Sequence, residues 1–337
     1  MKLFTAIICT GLLLMGSIEA IAQPNCKLKP AQTLLLYPEG QDVDKGLPEA
    51  QGPLASNGNT AEMESMADNG NISYMGDKAR LELYFPKKPN GQMVIVCPGG
   101  GYRITSSWNE GVYVAEWMLA RGITVCVVEY RMPNGNWEIP LRDMHNAFRY
   151  CRAHAQEWGV KQIGVMGFSA GGHLAATTTN LYVDDVTRPD FSILIYPVIS
   201  MDKTITHMGT RNGLIGKDEK WDNRDVKVDE YEAAQKKKAE LEERYSLDMQ
   251  VNENTPITFM AHCTDDKTVP IENSIRYYRS LVSHKVPAEL HIFPTGGHGW
   301  GFSAEKYVGK GKDKFAYARP EFEVSLNRWL ENLRKDL

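Results

Sequence analysis

Gln162-Ile163-Gly164-Val165-Met166-Gly167-Phe168-Ser169-Ala170-Gly171-Gly172-His173 is an apolar run that breaks into glycines around one serine and continues into the small-residue pattern Leu174-Ala175-Ala176. It reads as strand, sharp turn, helix. The centre, Gly167-Phe168-Ser169-Ala170-Gly171, is G-x-S-x-G, and a turn this tight lifts a serine hydroxyl off the end of a sheet only if its neighbours have almost no side chain. Ser169 is the candidate nucleophile.

Working outward, residues 93–97 and 123–128 are continuous apolar runs, the pattern of parallel strands buried on both faces. Between them lie Pro98-Gly99-Gly100-Gly101-Tyr102, which exposes backbone N–H groups, and a helix face marked by Val112, Ala115, Met118 and Leu119. Strand, helix, strand implies a right-handed crossover. Met144, Phe148, Cys151, Ala155 and Trp158 mark the helix that leads into the nucleophile strand. Further strands follow at 191–196, 256–261 and 288–293, with helices at 271–285 and along Phe322, Leu326, Trp329, Leu330 and Leu333. Upstream, residues 33–37 suggest an edge strand, and 71–75 with 80–85 suggest a hairpin around Gly76-Asp77. Residues 202–254 change character: they are charged, with an exposed helix expected over 228–245, and read as a solvated helical insertion after the sixth strand. Arg131 and Asp143 read as a pair pinning a strand end to a helix.

The chain opens with Lys2, an apolar run over residues 3–15 and then Ala20-Ile21-Ala22, the pattern of a secretory signal peptide cut near Ala22/Gln23. That run is too short for a membrane span, so a secreted or periplasmic protein is expected. Removing residues 1–22 leaves 315 of 337 and a formal charge still at −4, since Lys2 and Glu19 leave together. Residues 23–70 then form a lead-in and 71–337 one α/β domain. The charge balance excludes nucleic acid as a partner by counterion release. The remaining cysteines, Cys26, Cys97, Cys126, Cys151 and Cys263, are odd in number and lack C-x-x-C spacing, so neither a zinc site nor a disulfide framework is expected.

A serine hydroxyl needs a base to take its proton and an acid to hold that base in the right tautomer. In open α/β sheets such groups gather beyond the carboxyl ends of strands. The strand ends here offer Ser169, then Asp265 or Asp266, then His298, an order that matches the α/β-hydrolase arrangement. Among eight histidines, only His298 is flanked by glycines in a loop after the last strand; His262 is its rival, and His173, one turn past Ser169, reads as a structural hydrogen bonder.

Pro98-Gly99-Gly100-Gly101-Tyr102, Gly167-Phe168-Ser169-Ala170-Gly171-Gly172-His173, Asp266-Lys267-Thr268-Val269-Pro270 and Gly296-Gly297-His298-Gly299-Trp300 together resemble the α/β-hydrolase esterases, most of all bacterial secreted acetyl xylan esterases and their feruloyl esterase-like relatives. The resemblance runs from about Ile72 to the C-terminus. It implies a mostly parallel sheet flanked by helices on both faces, a Ser169-His298-Asp266 triad and no cofactor or metal. The acid is assigned to Asp266, three residues before the Val-Pro pair, with Asp265 as second choice. The resemblance also implies an oxyanion hole of backbone N–H groups from Gly100, Gly101 and Ala170. Pro98 stands where lipase-like relatives carry histidine, so the choice between the two glycines stays open. The implied activity is removal of short acyl groups, acetyl first, from xylan or its oligosaccharides. Feruloyl ester hydrolysis is the alternative. A prolyl or dipeptidyl peptidase is the minor one, because only about fifty residues precede the sheet. No opposed carboxylate pair of the glycosidase type stands out beyond the adjacent Asp265-Asp266.

Overall fold

Along the central strands, successive side chains enter two different cores, and this is why those strands read as unbroken apolar runs. Met93, Ile95 and Cys97 join one buried cluster, whereas Val94 and Val96 join the other. The computed structural model describes residues 28–38, 44, 47, 49–50, 52–56, 65–66, 72–302 and 318–335. The expected leader and Cys26 lie outside the described residues.

Among the described residues, eight strands form the main sheet. They are β1 (Gln32–Leu35), β4 (Arg80–Tyr84), β5 (Gln92–Cys97), β6 (Thr124–Glu129), β7 (Gln162–Phe168), β8 (Ser192–Ile195), β9 (Thr258–Cys263) and β10 (Ala288–Phe293), with β2 (Ser65–Met66) and β3 (Ser73–Tyr74) forming a separate pair. The spatial order is β1-β4-β6-β5-β7-β8-β9-β10. Both pairings of β4, with β1 and with β6, are antiparallel. From β6 through β10 every pairing is parallel. This is an α/β-hydrolase sheet with the predicted edge strand at β1.

The expected hairpin between residues 71–75 and 80–85 does not form. β3 pairs with β2, because β4 already has β1 on one side and β6 on the other and offers no free edge.

Helices cover both faces. A π-helical turn, Trp108–Val112, runs into α1 (Tyr113–Leu119); α2 (Ile139–His154) and α3 (Ser169–Asn180) follow. After β8 come α4 (Met208–Ile215), α5 (Asp218–Trp221) and α6 (Val228–Arg244), then α7 (Glu272–Ser283) and α8 (Ala318–Arg334). α1 and α8 pack one face through Val114, Met118, Phe322 and Leu326. α2, α3 and α7 pack the other through Met144, Phe148, Leu174 and Leu281. Each fully buried Leu, Val or Phe contributes about 1.5–3 kcal/mol of hydrophobic stabilisation.

α3 is buried along its whole length, which its small residues permit. Thr177, Thr178 and Thr179 turn their hydroxyls back onto the carbonyls of His173, Leu174 and Ala175, so none of these three hydroxyls is stranded in the dry layer. Arg131 and Asp143 meet at 2.7 Å, and Asp143 also accepts from the Arg131 backbone N–H at 2.8 Å, pinning the end of β6 to α2. Cys97, Cys126, Cys151 and Cys263 are free and buried.

Residues 202–254 hold three α-helices and a 3-10 turn, Leu247–Met249, rather than one helix. α6 is largely exposed, as its charge pattern suggests, but Leu214, Ile215, Trp221, Leu241, Tyr245 and Leu247 join the main core. Arg211 of α4 is fully buried, bonded to Asp218 and Glu242, and ties the segment together.

Candidate active site

Because β5 and β7 to β10 run parallel, their carboxyl ends emerge along one edge and deliver five loops to the same place. β5 gives way to the glycine loop, β7 to Ser169, β8 to Tyr196, β9 to Asp266 and β10 to His298.

Ser169 begins α3 with φ of +52°, a strained value for a residue with a side chain. The turn holds because its glycines admit contacts no Cβ would allow: a Cβ on Gly167 would lie 2.1 Å from the Gly171 carbonyl oxygen, and one on Gly171 equally close to that of Cys97. The strain presents the Ser169 Oγ 2.8 Å from His298 Nε2.

His298 Nδ1 lies 2.7 Å from Asp266 Oδ2. The other carboxylate oxygen, Oδ1, accepts the N–H groups of Thr268 at 2.8 Å and Val269 at 2.9 Å. His262 Nε2 makes a further contact of 3.2 Å with Oδ2. Burial acts to raise the pKa of the Asp266 carboxyl, but the bonds from His262, His298 and Val269 outweigh it and hold the group well below the usual carboxylate range. An ionised Asp266 makes Nδ1 of His298 the protonated nitrogen, leaving Nε2 free to accept the serine proton.

The structure therefore brings together Ser169, His298 and Asp266. It places Asp265 elsewhere: exposed, its oxygens accept the N–H groups of Gly297 at 2.7 Å and Gly296 at 3.3 Å, so it braces the histidine loop by its backbone. The rival base His262 is buried, with Nδ1 on Ser274 Oγ at 2.8 Å and Nε2 shared between Asp266 and the Val269 carbonyl. His173 is buried between the Tyr102 hydroxyl and the Tyr245 carbonyl, and burial pushes it down to about 4.

Gly100 and Gly101 line the same cleft as Ser169 and His298, which encloses about 670 Å³. Gly100, at φ +141°, has its Cα so close to the Ile104 carbonyl that a Cβ would stand 2.0 Å from the oxygen. Ala170 is in the first turn of α3, where N–H groups have no partner within the helix and the helix dipole favours negative charge. All three groups have the chemistry of oxyanion donors.

Three contributors to the site were not read from the sequence. Glu110, fully buried on the π-turn, accepts the Gly99 N–H at 2.7 Å and the Tyr196 hydroxyl at 2.8 Å. Tyr196 also stacks obliquely on His298 with ring centres 4.7 Å apart. His207, from the 202–254 segment, lines the cleft while its Nδ1 accepts the Thr210 N–H and caps α4. Tyr196 had a signal, since it ends a parallel strand; Glu110 and His207 had none. Among the described residues, no cluster of three or more His, Cys, Asp or Glu could hold a metal ion, and no helix is long and apolar enough to cross a membrane.

Residues 81–281 match the sequence model of the BD-FAE family. The chain is 35% identical over 229 residues to an acetylxylan esterase of Xylanibacter ruminicola, covering 67% of this chain and 44% of that protein. It is 32% identical over 223 residues to endo-1,4-beta-xylanase B of Butyrivibrio fibrisolvens, covering 61% and 32% respectively. The chain thus spans less than half the length of either relative. Its fold is similar to that of the acetyl ester-xyloside bifunctional hydrolase from Caldicellulosiruptor lactoaceticus, with a TM-score of 0.63, 27% identity, and coverage of 91% of this chain and 98% of that one. More than half of the sequence carries the family pattern on an α/β-hydrolase sheet, and the chain belongs to the BD-FAE family.

Proposed function

We propose that this protein is an exported serine carboxylesterase that removes short acyl groups, acetyl first, from xylan or xylo-oligosaccharides. The observation that carries the reading is the unbroken line from Asp266 through His298 to Ser169 at the wall of an open cleft. Similarity to an acetylxylan esterase supports the substrate class. The leader-like residues 1–22 support export.

In this reading Ser169 Oγ attacks the acyl carbonyl carbon as His298 Nε2 takes its proton. Negative charge gathers on the carbonyl oxygen, where the N–H groups of Gly100 or Gly101 and of Ala170 stabilise it. Collapse breaks the bond to the sugar oxygen, which leaves with the proton from His298. Water then attacks the acyl-enzyme by the same route, releasing the carboxylic acid and restoring Ser169.

A glycosidase mechanism is not favoured, because it needs two opposed carboxylates and, among the described residues lining the cleft, Glu110 is the one carboxylate. A feruloyl ester is the second reading, since 670 Å³ leaves room for an aromatic acyl group. Purified protein assayed on 4-nitrophenyl acetate, a feruloyl ester and acetylated xylan decides between them. Acetate release from xylan without backbone cleavage is expected. Efficient ferulate release with poor acetate release would replace the acetyl reading, and no release from any ester would overturn both.

A further inference from the structure

We propose that the π-turn Trp108–Val112 is a clamp between the glycine loop and the histidine loop, and that Glu110 and Tyr196 are its positioning residues. The proposal rests on the esterase reading and names residues that tune its oxyanion site.

Chemistry at an ester carbonyl needs the base and the oxyanion donors fixed relative to each other, although here they sit on loops about two hundred residues apart in sequence. The π-turn contacts both. Toward the glycine loop, Glu110 Oε2 accepts the Gly99 N–H at 2.7 Å. The approach is so close that a Cβ on Gly99 would lie 2.7 Å from that oxygen and 2.9 Å from Ser169 Cβ. Toward the histidine loop, the chain runs through Tyr196: its hydroxyl donates to Glu110 Oε1 at 2.8 Å and accepts the Gly301 N–H at 2.9 Å.

The neighbouring residue repeats the grip. Asn109 Nδ2 donates to the Gly299 carbonyl at 2.9 Å, and the Asn109 carbonyl accepts the Phe302 N–H at 3.1 Å. His298 is thereby held just ahead of anchors at Gly299 and Gly301, while the ring of Tyr196 lies against its imidazole. π-turns are uncommon and concentrate at functional sites, and in this one Asn109 meets the histidine loop while Glu110 meets the glycine loop.

The carboxylate itself is costly. Burial raises the pKa of Glu110 above the ordinary value, against the lowering effect of the Tyr196 and Gly99 bonds. A side chain that served only to fill this space would be cheaper as an amide or an apolar group. A carboxylate is the side chain that accepts from both loops at once, having two acceptor oxygens and no donor of its own.

The test compares wild type, Glu110→Gln, Tyr196→Phe and the double variant on 4-nitrophenyl acetate, together with the rate at which a fluorophosphonate labels Ser169. Gln has one acceptor oxygen, so one loop loses its partner; Phe keeps the ring against His298 and removes one oxygen. Each variant is expected to lose about 10- to 100-fold in kcat with KM within about threefold, less than deletion of an oxyanion donor costs. Labelling should slow in parallel. The double variant should be no more than about threefold worse than the poorer single, because the two residues act as one unit. Should Glu110→Gln fail to fold, Tyr196→Phe decides alone. A Tyr196→Phe enzyme with wild-type kcat, losses confined to KM, or multiplying losses in the double variant would overturn the clamp. A wild-type protein inert to ester and probe would overturn the esterase reading and the clamp with it.

Discussion

Two adjacent aspartates, Asp265 and Asp266, differ in what their oxygens hold, and replacing each by asparagine should separate them sharply. In Asp266→Asn the side-chain carbonyl must stay where Oδ1 is, because that oxygen accepts two backbone N–H groups, from Thr268 and Val269. The new amide NH2 then replaces Oδ2, facing His298 Nδ1 at the 2.7 Å contact and His262 Nε2 at the 3.2 Å contact. An NH2 opposite Nδ1 selects the imidazole tautomer protonated on Nε2, which points a proton at Ser169 where an acceptor is needed. A triad with its tautomer reversed loses about 10⁴ in kcat, or about 5 kcal/mol of transition-state stabilisation. Asp265→Asn keeps a carbonyl oxygen for the closer Gly297 N–H and loses only the longer Gly296 bond at an exposed site, so a loss below about tenfold is expected. The assay is kcat and KM on 4-nitrophenyl acetate at pH 8, with circular dichroism to confirm that both variants are folded. An Asp266→Asn enzyme within tenfold of wild type, or a larger loss for Asp265→Asn, would refute the reasoning.

Three further outcomes concern stability. The native state keeps His173 neutral down to about pH 4, whereas the unfolded chain protonates it near 6.5, so the unfolded state binds the extra proton between those values and stability falls as pH drops from 6.5 to 4. The shift corresponds to about 3 kcal/mol; urea midpoints across this range should fall less steeply for His173→Gln, and an unchanged slope would contradict the account. Arg211→Gln should lower unfolding free energy by about 3 kcal/mol in the same measurement, because it empties a buried position that holds Asp218 and Glu242. Gly167→Ala should yield insoluble or unfolded protein, since its Cβ would overlap the Gly171 carbonyl; a folded, active variant would contradict that reading of the turn.

The parts of the fold legible in sequence were those written in local pattern. Residues 93–97 read as a doubly buried strand because Val94 and Ile95 both need cover, one from each helical layer. Ser169 and His298 stood out because glycines flank them at the ends of apolar runs. The error at residues 71–85 was one of partners, not of strands. Whether β4 turns back onto β3 depends on whether its edges are already filled by β1 and β6, which no local pattern records. Glu110 and Tyr196 are 86 positions apart and meet only when the sheet is assembled. His207 carries no motif; it reaches the cleft because the apolar residues of a charged segment pack into the main core.

The central claim, that acyl transfer runs through Ser169, is tested most directly by titrating the purified protein with a fluorophosphonate while esterase activity and the site of modification are followed by peptide mass spectrometry. One adduct per chain, on Ser169, is expected, with activity falling in proportion to its occupancy. Full activity in protein whose Ser169 is modified, or inactivation by an adduct on another residue, would contradict the account.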